Sequence, residues 1–129
     1  MLRIEPAQLD ALGDVARARN ERDVRAALDA AHDAGRILDV GPEGRAEAAA
    51  RAAAFGPTLK LTRMGDYAAL GALAVAVGAH WDSFLRHPAV LDAIDAGWMT
   101  GQERLNRLLG VARDALDPPA RAPEREASA

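Results

Sequence analysis

The chain has 129 residues, half of them hydrophobic but only 4% aromatic, with a formal charge of −3. That length supports one ordinary hydrophobic core. The acidic balance, with arginines interleaved among acids as in "RARNERDVR", argues against a phosphate-binding face and so against a nucleic-acid partner. With no cysteine, the chain can form no disulfide, thiolate nucleophile or Cys-ligated zinc or iron–sulfur site.

The N-terminus "MLRIEPAQLD" lacks the sustained apolar run of a secretory signal, so a cytoplasmic protein is expected. Pro6 suits the first turn of a helix, where a backbone N–H is not needed. Leu9, Leu12, Val15 and Ala16 follow at helical spacing, and Val24, Ala27, Leu28 and Ala31 make a second stripe over 21–34. These stretches form two helices or one long one, with Gly35 as the stop and "ILDVGPEG" as a turn-rich connection.

The next helix is predicted over 42–55, from Pro42 to the "GP" at 56–57. Its apolar face is alanine plus Phe55, so it is expected to be the least securely anchored element. A strongly apolar helix follows, over about 64–81, with Leu70, Leu73, Ala74 and Val77 on one face. Its unbroken apolar run, Tyr67 to Ala79, spans about thirteen residues against the roughly 20 needed to cross a bilayer, which predicts a core helix and no membrane partner. Gly71 and Gly78 lie on nearly the same side and leave room for a neighbour's backbone.

His87-Pro88 opens a short helix with Val90, Leu91 and Ile94 inward, ended by Gly97. Thr100 and Glu103 form a capping-box pattern at the head of the last helix, whose stripe is Leu105, Leu108, Leu109, Ala112 and Leu116. Asp117-Pro118-Pro119 stops that helix, and "ARAPEREASA" has the composition of a disordered tail. The expected fold is all-α: a single-domain bundle of five to six helices over 1–116, with a disordered tail over 117–129.

Chemistry-bearing patterns are sparse. His80 and His87 are seven residues apart across a helix end, His32 is distant, and none has the i, i+4 partner of a helical zinc pair. Their expected role is at helix ends; neither metal nor cofactor is expected. No nucleophile elbow, P-loop or dinucleotide fingerprint occurs, so no catalytic residues are assigned and the chain is read as a non-enzyme. The aromatic residues say more. Trp81, Phe84 and Trp98 all fall between 80 and 100, where they close a core or, with Met99, form a protein-interaction patch; Trp98-Met99, at a turn, is the better placed for exposure.

Several of these residues carry a resemblance. Met1, Ile4 and Gln8, then Ala52, Phe55, Gly56, Asp66, Leu70 and Leu73, then Gly78, Trp81, Asp82, Pro88, Ile94, Glu103, Arg104 and Leu105 stand in an order that resembles small helical accessory proteins encoded in bacterial type VI secretion gene clusters. The likeness is densest over 52–109 and departs at the alanine-rich "RAEAAARAAA". It implies an adaptor or chaperone-like partner of an effector or spike protein, with no catalytic residues. An immunity protein that covers a cognate toxin is the alternative in that setting. A small-ligand-binding bundle or enzyme is the alternative from another class, and would need a deep pocket holding His80, Trp81 and Asp82 together. Homo-oligomerisation, by the alanine-rich helix packing on a second copy, is also open.

Overall fold

The structure is a computed structural model that describes the backbone of residues 6–116 and the side chains of 13–115. The fold is all-α: among the described residues there are helices and turns and no strand. The chain divides into two compact units, Met1–Ala76 and Val77–Ala129. The predicted tail, residues 117–129, lies outside the described residues, as do Met1, Ile4 and the side chain of Gln8.

The first unit begins with α1, Pro6–Asp33, one continuous helix of 28 residues where the sequence leaves one or two open. Nothing between the two stripes stops it: Gly13 costs helix propensity but breaks no hydrogen bond. Its end is a Schellman motif. Gly35 takes a left-handed φ of 71°, its N–H donates to the His32 carbonyl (2.9 Å), and the Arg36 N–H donates to Ala31 (2.8 Å).

Helix α2, Gly41–Phe55, packs along α1. It is better anchored than its composition suggests. Ala48, Ala49, Ala52 and Ala53 are all buried, because small side chains let the two helix backbones approach closely. Arg45, its side chain only 11% exposed, adds a polar tie by donating from Nε to Asp29 Oδ1 on α1 at 2.7 Å. A short 3-10 turn, Gly56–Leu59, follows, and Gly56 lies directly against the Tyr67 ring, where a Cβ would come within 2.2 Å of Cε1.

Helix α3 spans Met64–Val77, shorter than the predicted 64–81. Gly78 ends it by adopting φ 60°, a conformation that costs glycine nothing and other residues about 1–2 kcal/mol. The room expected beside both glycines for a neighbour's backbone is used at one of them, and there by side chains. A Cβ on Gly71 would meet Val24 Cγ1 of α1 at 2.6 Å, whereas one on Gly78 would meet nothing within 4 Å. Gly71 is a packing residue and Gly78 a turn residue. Counted as one run, Met64–Leu85 has the length and composition to cross a bilayer, 22 residues rather than about thirteen. The left-handed backbone at Gly78 divides that run, and Leu70, Leu73, Val75, Val77, Trp81 and Phe84 within it are buried.

The second unit continues through a 3-10 turn, Gly78–His80, into α4, Trp81–Leu85. Helix α5, Pro88–Asp95, and helix α6, Gly101–Leu116, pack against each other. Val90 of α5 and Leu105, Leu108 and Ala112 of α6 are buried as predicted; Ala93, outside the predicted stripe, is buried too, Ile94 and Leu109 are half-buried, and the side chain of Leu116 lies outside the described residues. Leu91, expected inward, is 46% exposed: α5 is only eight residues long, and its buried side is centred on Val90 and Ala93.

Candidate functional site: the turn between α5 and α6

The segment from Ala96 to Thr100 joins α5 to α6 and is held at both ends. At its start, the Ala96 carbonyl accepts from Met99 N–H at 3.1 Å, closing a four-residue turn over Gly97 and Trp98. At its end, Thr100 and Glu103 form the predicted capping box. The Glu103 N–H donates to Thr100 Oγ1 (3.1 Å), and the Thr100 N–H donates to Glu103 Oε1 (2.8 Å).

Within this turn the two neighbouring residues part company. Met99 is buried at 8% exposure and pins the turn to the unit's core, while Trp98 is 74% exposed. Trp81 and Phe84 are buried, with ring centroids 6.2 Å apart and planes tilted by 31°. One tryptophan is thus inside and one outside. An indole left largely in water forgoes a large share of the burial energy available to this aromatic-poor chain, which marks Trp98, among the described residues, as the exposed group with most to gain from a partner.

Trp98 stands beside a shallow groove of about 460 Å³ that runs along the outer side of α6. Met99, Gly110 and Val111 contribute its less polar lining, and Glu103, Arg107 and Asp114 its charges. Gly110 keeps the groove low, since its Cβ position faces open space. Acid, base and acid alternate along the helix, so the groove offers mixed charge with no single dominant sign.

A residue that sequence reasoning assigned only to a motif turns out to organise this region. Arg104 is 3% exposed, and its Nε donates to the Ala93 carbonyl (3.0 Å) and its Nη2 to the Ala96 carbonyl (2.6 Å). These carbonyls belong to the end of α5, which carries partial negative charge, and each also accepts a backbone N–H, Ala93 from Ala96 at 3.3 Å and Ala96 from Met99 at 3.1 Å. The signal was the "ERL" triplet, in which Glu103 caps, Arg104 clasps and Leu105 enters the core.

The histidines do not converge. His87 is the N-cap of α5, its Nδ1 accepting from the Ala89 N–H at 3.1 Å, the helix-end role expected for it. His80 and Asp82 are exposed, and His32 lies 3.9 Å from Asp39 in the first unit. Among the described residues no three His, Asp or Glu side chains group as metal ligands would.

The first unit carries two more depressions, neither with a convergent catalytic set. One, about 610 Å³, is lined by Asn20, Ala53, Pro57 and Tyr67 among others, with Arg17 paired to Asp14 at 2.6 Å on its edge. Burial pushes the Tyr67 hydroxyl above its ordinary pKa, and a hydrogen bond with Asn20 opposes that shift. The other, about 390 Å³, lies over Ala18, Ala46 and Ala49, with Glu21, Arg22 and Arg25 around it.

The class these features define is an all-α protein that presents one exposed tryptophan on a locked turn beside a mixed-charge groove. Comparison with known protein families, with curated proteins and with solved structures returns no match.

Proposed function

We propose that the chain is a non-enzymatic, protein-binding accessory protein of the bacterial cytoplasm, an adaptor or chaperone-like factor in loading a type VI secretion effector or spike protein. The exposure of Trp98 is the observation that carries the binding role. Tryptophan is enriched among the few interface residues that dominate binding energy, and such residues work when a partner takes them out of water. The groove along α6 suits a partner helix or extended segment, with Glu103, Arg107 and Asp114 setting its register through charge. The secretion setting rests on the sequence resemblance alone.

Trp98→Ala tests the reading. It removes an exposed side chain, so the helical circular dichroism signal should not change. Co-purification with type VI effector and spike proteins should weaken by tenfold or more, the loss of about 1.4 kcal/mol or greater that a central tryptophan commonly carries. Undiminished capture would remove Trp98, and with it the groove, from consideration. Rescue of cells from an effector's toxicity, with delivery unaffected, would point instead to an immunity protein.

A further inference from the structure

We infer that Arg104 is a positioning residue for Trp98: its guanidinium holds the turn between α5 and α6 in the form that presents the indole. The turn has reasons to be loose. Gly97 is exposed, and Ala96 leaves the helix with φ −76° and ψ 94°, so the carbonyls at the end of α5 are not used by a continuing helix. Arg104 takes up two of them at once, from Nε to Ala93 and from Nη2 to Ala96.

The second acceptor is the informative one. The Ala96 carbonyl that receives Nη2 also receives the Met99 N–H, so one oxygen ties Arg104 to the hydrogen bond that closes the turn around Trp98. Met99 is buried just beyond, and the Thr100–Glu103 box fixes the start of α6. Trp98 is therefore the free-standing residue of a turn restrained before and after it. A turn whose backbone is so restrained loses less freedom when a partner takes up the indole, which raises affinity without any added contact. Lysine would not substitute, since a single ammonium lacks the planar fork that reaches two separate carbonyls.

The consequence for affinity rests on the docking role proposed for Trp98, but the order of the turn does not, and it is measured on the free, full-length chain. Arg104→Lys should speed amide exchange at Met99 by about tenfold or more, while Leu108 and Ala112 in the middle of α6 keep their protection. Backbone order parameters at Gly97 and Trp98 should fall from the rigid range near ~0.85 towards ~0.6. Equal acceleration throughout α5 and α6, or no change at the turn, would reduce Arg104 to a structural clasp and overturn the inference.

Should Arg104→Lys fail to fold, the wild-type chain still decides. Its Met99 amide must exchange as slowly as that of Arg104, which is bonded to the Thr100 carbonyl at 3.0 Å; exchange at the free-peptide rate would overturn the inference. A turn that loosens in Arg104→Lys, together with undiminished capture by Trp98→Ala, would sink the docking role and leave the positioning role standing.

Discussion

Asp29 shows how single side chains on this molecule carry measurable consequences. The hydrogen bond from Arg45 holds its carboxyl below the ordinary carboxylate pKa, with the charges of Arg45, Arg25 and His32 acting in the same direction against some desolvation. A depressed pKa means that the folded state favours the ionised form. The stabilisation is present above the unfolded value of about 3.9 and disappears as pH falls through it towards the folded value. Acid titrations of stability should therefore show a steeper loss below about pH 4 in the wild type than in Arg45→Met, where the favoured anion has lost its main donor. Identical acid limbs would mean that the pair contributes nothing to folding. The pairing itself was not legible in the sequence: sixteen residues and a chain reversal separate the two groups, and only packing of α2 on α1 brings them together.

At the scale of elements, the helices follow local rules closely where those rules concern backbone ends. Gly35, Pro42, His87-Pro88 and the Thr100–Glu103 box do what their residue types predict, because capping depends on a few neighbouring groups. Glycine is where local reading is ambiguous, since the same residue serves a turn or a close approach. Gly71→Ala makes the distinction testable. Alanine improves helix propensity by about 1 kcal/mol, but its Cβ would press within 2.6 Å of Val24 Cγ1, on a stiff, fully buried side chain. Overpacking of this kind costs about 1–3 kcal/mol, so the variant should be destabilised in urea titration. Combining it with Val24→Ala, which vacates the contested space, should destabilise less than the sum of the two single changes. Strict additivity would show that the α1–α3 contact is not tight at Gly71.

For the molecule as a whole, the placement of its two tryptophans gives a simple optical signature. Trp81 is buried and Trp98 exposed, so acrylamide should quench the native emission in two classes and give a downward-curving plot. Trp98→Phe should abolish the accessible class and shift the remaining emission to the blue; a linear plot in the wild type would contradict the burial of Trp81. The all-α class, the chain positions of most helices and the inward stripes of the last one were determined by the sequence by itself, because periodicity, caps and breakers act over a few residues. Tertiary structure alone decided that Met99 is buried while Trp98 beside it faces water as its place in a turn suggested, that Gly71 lies against the Val24 side chain of α1, and that Arg104 is buried on the end of α5. Each of these depends on which distant groups come to lie alongside, and burial is a property of the packed chain that no local pattern contains.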